Sequence, residues 1–360
     1  MSIDNFSVVD WYIFPIIIFF LNTLAMNYYS IKNENGYLYK RANITLSLIS
    51  TIFIIILSAT RTAIGDTSNY INIFKISPET FSDFLTATDW SGEWGFEFIN
   101  FFIKSKITDD PTTYLFILSL ITIGLIFITF YKYSQYFELC VLIFILSGSY
   151  ITSLNGIRQS LVAAIFFFFF KLIPEKKYIK YFLLCIILST IHRSALVLIP
   201  LIFIFNMEPW GKGTKILCVI GLIMYIFYPI TSKIFAFFIS DTNYSIYGTG
   251  ILTGSSGSAN FVRVLVALVP IVLSYFYRKK LCNLQYFNVF LHATILNFIF
   301  MLLASAASWI FARFCIYFSM FSFVLLCWEI LISGKNKKIF YFSCIFLYFV
   351  FYYFEIRVLV

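Results

Sequence analysis

Arginine carries the first chemical signal in this 360-residue chain. Six of its eight arginines, Arg61, Arg158, Arg193, Arg263, Arg313 and Arg357, fall where apolar segments meet one side of a membrane, while lysine dominates the turns on the other side. A guanidinium holds its charge at any physiological pH and presents a planar fork of donors that matches phosphate oxygens. Such a row suits an anionic substrate gathered at one surface. Few nearby groups can move a proton. His192 adjoins Arg193 in TIHRSALVLIP, and an imidazole is a side chain able to accept a proton. Asp66 and Glu93 are the alternative general bases.

The arginines come in short polar clusters. RTAIGDTSNYINIF places Arg61, Gly65, Asp66, Tyr70 and Phe74 just after a helix. The plainer reading is a boundary arginine followed by a Gly-Asp turn. SLNGIRQSLVAA puts Asn155, Arg158 and Gln159 at a helix start, where unsatisfied backbone N–H groups and the helix dipole favour an anion. An arginine at the centre of a span costs roughly 2.5 to 3.5 kcal/mol, less near the interface, so it requires a partner or water; the simple alternative is snorkelling. ASAASWIFARFCIYFS sets Arg313 four residues beyond Trp309, after small residues that permit close helix packing. Trp90 and Trp94 suit either sugar stacking or interfacial anchoring. His292, inside a helix without a charged companion, reads as structural.

The elements that must position these groups follow from composition. With 61% apolar, 21% aromatic and 12% charged residues, the chain is an all-α polytopic integral membrane protein. Apolar runs between Val8 and Phe354 suggest about twelve transmembrane helices. Two runs flanking His192 and Arg193 are short enough to be half-helices meeting at a break, so the count around 179–206 stays open. The first helix reads as a retained anchor, because Asp4 and Asp10 stand where a signal peptide would be basic.

Lysine-rich turns alternate with the runs and place both termini outside by the positive-inside rule. Residues 61–112, with eight acidic and four basic residues, then form an external loop containing an amphipathic helix. Residues 240–260 form a second external loop, rich in Gly and Ser. The whole chain, 1–360, reads as a single transmembrane domain. Its net charge of +9 reflects topology and contact with membrane lipids rather than nucleic acid. The seven cysteines show neither a disulfide framework nor a CxxC pair, and two histidines without ligand spacing give no expectation of a metal.

Taken together, these clusters resemble the EpsG-like branch of the Wzy polymerases of O-antigen and exopolysaccharide repeat units. The resemblance runs from Arg61 to about Phe318. It rests on R-x3-G-D-T-x2-Y-x3-F from Arg61, EWGFEFIN from Glu93, NGIRQSLVA from Asn155, IHRSAL from Ile191 and the helix of Arg313. It implies a GT-C-like membrane glycosyltransferase in the bacterial plasma (inner) membrane, its active site facing the periplasm or cell exterior. The implied reaction is metal-independent and inverting, uses no cofactor, and moves a glycan from undecaprenyl pyrophosphate to a lipid-linked repeat unit. A chain-length regulator protein is an implied partner. The implied catalytic candidates are His192, Asp66 and Glu93, and the substrate-binding ones Arg61, Tyr70, Arg158, Gln159, Arg193 and Arg313.

Other classes stay open on residues alone. An O-antigen ligase would use the same donor chemistry. A flippase of lipid-linked glycans would need polar groups through the membrane depth, whereas these arginines favour one side. A multi-pass acyltransferase would draw substrate from the lysine-rich face.

Overall fold

The structure, a computed structural model, describes residues 2–34, 37–239, 258–306 and 309–359. All but the last three residues of the expected Gly/Ser loop at 240–260 lie outside this set. The described chain is overwhelmingly helical, as a segment in hydrocarbon must be if each backbone N–H and C=O is to find a partner within its own stretch. One antiparallel hairpin, β1 (Ser30–Glu34) and β2 (Tyr37–Arg41), pairs Ser30 with Arg41.

Among the described residues, five helices are long and apolar enough to cross a membrane. These are α1 (Val8–Asn27), α6 (Pro111–Tyr133), α16 (Phe287–Ala306), α17 (Trp309–Ile332) and α18 (Lys337–Leu359). Two bent pairs raise the number to seven if each is one span. They are α7 (Phe137–Leu146) with α8 (Ser149–Asn155), at 61°, and α12 (Lys212–Ile226) with α13 (Tyr228–Ile239), at 97°. The remaining helices are shorter, including α2 (Ile44–Ala59), α9 (Ile157–Phe169), α10 (Tyr178–Ile191), α11 (Leu201–Phe205), α14 (Phe261–Phe276) and α15 (Arg278–Leu281). At 1.5 Å per residue a 14-residue helix such as α10 reaches about 21 Å. An upright crossing takes about 30 Å. Length and composition therefore give five to seven spans where the apolar pattern alone suggests about twelve.

The chain divides into two compact units, Met1–Ile202 with Lys335–Val360, and Phe203–Gly334. In the first, Ser7 and Asp10 form a reciprocal cap that starts α1, and Asn43 caps α2. The two helices are joined where Ser50 Oγ donates to Asn22 Oδ1 at 2.8 Å, a polar tie between buried side chains. Tyr352 Oη on α18 donates to the Trp11 carbonyl at 2.9 Å, so the end of the chain packs on its beginning.

Above α2, Asp4 accepts from Thr62 N–H at 2.5 Å and Ala63 N–H at 3.1 Å, tethering the stretch beyond Arg61. The segment 61–112 folds into α3 (Thr67–Ile76), α4 (Phe81–Ala87) and α5 (Trp94–Lys106). Phe74 of α3 stacks on Tyr114 of α6 at 4.1 Å, and Tyr114 Oη donates to Asn100 Oδ1 of α5 at 2.9 Å. These contacts seat the three short helices on α6. The apolar side of α5 buries Phe96, Phe101 and Ile103 against the protein.

In the second unit α16 and α17 form an antiparallel pair, with Phe290 against Trp328 at 4.6 Å and Phe300 stacked on Phe318 at 5.9 Å. His292 Nε2 lies 2.8 Å from Thr214 Oγ1, joining α16 to the start of α12 in the structural role its sequence context suggests.

Two glycines separate packing from propensity. A Cβ at Gly95 would lie 2.1 Å from Thr190 Oγ1 and 2.9 Å from its backbone carbon, so only glycine lets α5 close on α10. A Cβ at Gly124, inside α6, would meet nothing within 4 Å. Gly95→Ala should therefore force α5 off α10 and lower the unfolding temperature, while Gly124→Ala should be neutral or stabilising by up to ~1 kcal/mol. Thermal unfolding of the two variants checks this, and an unchanged melting temperature in Gly95→Ala would contradict the close approach.

Candidate functional site

Three remote segments meet at one carboxylate. Glu93 stands at the N-cap of α5, Arg158 in the first turn of α9 and His192 at the end of α10. Arg158 Nη1 donates to Glu93 Oε2 at 2.6 Å. On the other oxygen, Oε1, His192 Nδ1 sits at 2.8 Å and the Arg193 backbone N–H donates at 3.0 Å. An ionised carboxylate only accepts, so His192 must carry its proton on Nδ1. In the neutral ring Nε2 is then the nitrogen that can take a proton.

Local backbone explains why each group arrives there. His192 leaves the α-helix with extended dihedrals (φ −152°, ψ 115°), and residues Arg193–Leu198 turn into a 3-10 helix. Tyr181 Oη donates to the Leu198 carbonyl at 2.6 Å, holding that turn against α10. The break expected at His192 and Arg193 is thus present, and it frees the Arg193 N–H from helical bonding so that it can reach Glu93. Gly156 caps α9 with no side-chain bond, leaving the first turn, where Arg158 lies, without a side-chain acceptor. The Arg158 guanidinium sits 5.5 Å from the ring centres of both Tyr70 and Phe96, which are themselves edge-to-face at 5.8 Å. This aromatic pair supports the cation by its ring faces.

Electrostatics follow from these contacts. Burial alone would raise the Glu93 carboxyl, but the His192 bond and charge, the Arg193 N–H and Arg158 together hold it below the ordinary carboxylate value. Glu97, one turn along α5, moves the other way, raised by burial and by the charge of Asp89.

The other sequence candidates occupy different places. Asp66 donates its backbone N–H to Asn155 Oδ1 at 2.8 Å, and Gly65 beside it has φ +53° with Asn155 directly above its Cα. The Gly-Asp turn is therefore tied to the α8–α9 junction, next to Arg158 in sequence. Tyr70 is 7% exposed, its ring occupied by Phe96 and Arg158 rather than presented to a ligand. Arg61 is 2% exposed and turns inward: Nη1 donates to the Ser58 carbonyl and to Ser119 Oγ at 3.2 Å. It lines a small recess with Ser119, Thr122 and Ser153 and fastens the end of α2 to α6. Gln159 is buried on α9. Arg313 lies on α17 and Arg263 on α14, both in the second unit.

In the sequence Glu93 stands only as a substitute base. Its place as the hub is not visible there, because its partners lie 65 and 99 residues away. Gly95 and Asp4 carry no functional expectation either. A glycine interrupting the aromatic pattern of α5 is the available signal for the first.

In this helical membrane protein a carboxylate, a histidine and a guanidinium converge at a helix break. The sequence matches the EpsG family over residues 44–359, and the chain belongs to that family. Membership points to a role of the polysaccharide-polymerase type, consistent with a glycosyltransferase-like enzyme. No curated protein and no solved structure matches the chain.

The lowered Glu93 value fixes a pH dependence. A carboxyl depressed in the folded state contributes stability that is fully present above its unfolded value, ordinarily 4.5, and is lost as pH falls through the folded value. Glu93→Gln should therefore lower the unfolding temperature at pH 7, by the equivalent of about 1–3 kcal/mol. The gap to wild type should narrow as pH drops below 4.5. Thermal melts across pH check it; a gap of constant size would show that the carboxylate charge contributes nothing.

Proposed function

We propose that the chain polymerises a polysaccharide by transferring a growing glycan from undecaprenyl pyrophosphate to a lipid-linked repeat unit at the outer face of the bacterial plasma membrane. The observation that carries this reading is the Glu93 carboxylate bonded at once to His192 and Arg158. Glu93 fixes the His192 tautomer, so Nε2 accepts the proton of the acceptor hydroxyl as its oxygen attacks the anomeric carbon. The bond from that carbon to the pyrophosphate oxygen breaks on the opposite side, which inverts the centre. Glu93 then stabilises the imidazolium, in the role a carboxylate plays beside a catalytic histidine in hydrolases.

The leaving pyrophosphate gains charge as the bond breaks. Arg158, at a helix N-terminus with no side-chain cap, and Arg193 beside the base are the groups suited to hold it. Gln159 follows Arg158 on α9 as a further candidate contact for the lipid-linked substrate, while Arg61 positions α2 and α6 from inside. Asp66 supports the turn above α9 rather than acting as base. The shorter apolar helices would complete a set of about twelve crossings in a GT-C-like arrangement, tilted or paired where one alone is too short.

The roles of His192 and Arg158 separate in one experiment on purified protein in nanodiscs. His192→Ala should bind undecaprenyl-pyrophosphate glycan normally yet give no ladder, since only a transition-state interaction is lost. Arg158→Lys should weaken binding and shorten ladders nearly as much as Arg158→Ala, because an ammonium cannot reproduce the forked contact. Wild-type ladders from His192→Ala would remove it as base.

Orientation is tested separately. A cysteine at Ser91 should react with an impermeant thiol reagent from outside, and one at Asn336 should not. Reversed labelling would place the cluster on the cytoplasmic face and overturn the proposed donor access.

A further inference from the structure

We infer that Trp90 and Trp94, with Asp89 and Glu97, form a platform for one pyranose ring of the glycan next to the Glu93 cluster; this rests on reading the protein as a glycan polymerase. The two indoles lie 5.7 Å apart with their planes at 46°, and Trp90 is 51% exposed. The back of Trp90 is braced, meeting Phe84 edge-on at 5.9 Å, and Phe84 stacks on Phe101 of α5 at 5.0 Å.

Two features argue for a sugar over a lipid headgroup. An indole that anchors a protein at the interface turns its N–H towards headgroups or water. Here Trp90 Nε1 points back to the Leu85 carbonyl at 3.4 Å, which leaves an apolar face exposed. The rim is also acidic. Asp89 is fixed by a turn in which its Oδ1 accepts from Ser91 N–H at 2.9 Å and Ser91 Oγ at 2.6 Å. Glu97 stands close enough for Asp89 to raise its carboxyl, after the larger effect of burial. Two neighbouring carboxylates repel anionic headgroups and phosphate. They do accept hydrogen bonds from neutral hydroxyls. The C–H face of a pyranose carries small positive charge and complements the negative face of an indole, while its hydroxyls reach sideways to acceptors.

Position joins the platform to the transfer step. Trp94 follows Glu93 directly, Asp89 feels the charge of Arg193, and Glu97 feels that of Arg158. A ring seated on the indoles would therefore lie beside the groups assigned to proton transfer and to the pyrophosphate. The platform would select for ring faces free of axial substituents, making it a determinant of which repeat unit is accepted.

The test uses the full-length protein in nanodiscs of phosphatidylglycerol and phosphatidylethanolamine, free of glycosidic detergent. Saturation-transfer NMR is recorded with methyl α- and β-pyranosides of glucose, galactose, mannose, N-acetylglucosamine and N-acetylgalactosamine. At least one should show transfer to ring C–H protons, falling about fivefold or more in Trp90→Ala/Trp94→Ala. Glu97→Gln, which leaves the aromatic packing intact, should lower it as well, and Trp90→Phe should retain part of it. Absence of transfer from every pyranoside, or equal transfer in the double variant, overturns the platform. If pyranoside binding follows the indoles while His192 and Arg158 variants still polymerise, the platform stands and the transfer assignment fails.

Discussion

One carboxylate holds the candidate site together. Glu93 receives a guanidinium on one oxygen and, on the other, an imidazole N–H and a backbone N–H. Each donor comes from a different part of the chain, and none reaches the carboxylate unless its own segment is correctly placed. The helix break at His192 frees the Arg193 N–H, the first turn of α9 carries Arg158, and Gly95 lets α5 approach α10. The partly buried setting strengthens these bonds, because fewer waters compete for the carboxylate. It also makes each of them necessary, since a carboxylate stripped of partners there would be costly.

That dependence explains the amount of structure given to residues 61–112. Helices α3 to α5 are too short to be stable alone in water. They gain order from contacts with α6, through the Phe74–Tyr114 stack and the Tyr114–Asn100 bond, and from the Asp4 tether at the other end. The layer is thus an extension of the membrane core rather than a loose loop, and it presents Glu93 from a fixed direction. Arg61, buried beneath, holds α2 to α6 and so contributes to the same geometry without facing solvent.

How much of this is legible in the sequence depends on what kind of fact each residue encodes. Helical class and membrane character follow from composition, which is additive along the chain. Arg158 and His192 stand out because a polar group at a helix end in an apolar run is conspicuous one position at a time. Tyr70 is visible as a member of the site, but its supporting role is not. Its burial under Arg158 depends on Phe96, 26 positions later, and no local pattern records that pairing. Glu93 is similarly ambiguous, since a carboxylate in an acidic segment looks the same whether it is a base or an acceptor. The span count diverges for another reason. An apolar run reports a surface that avoids water but not how long its helix is: α10 turns Ile179, Phe182, Leu183 and Ile187 outward, yet its 14 residues fall short of an upright crossing.

The sharing of Glu93 Oε1 has a mechanical consequence. One atom grips both the His192 ring and the peptide plane of the following residue, at 2.8 and 3.0 Å. The imidazole cannot tilt about its Cβ without also dragging the acceptor away from that peptide, so small displacements of the outer helices are resisted by two springs with a common anchor. Withdrawal of α5 would rupture both together. The two contacts are therefore made or lost together, and the His192 ring is held in register with the backbone that follows it.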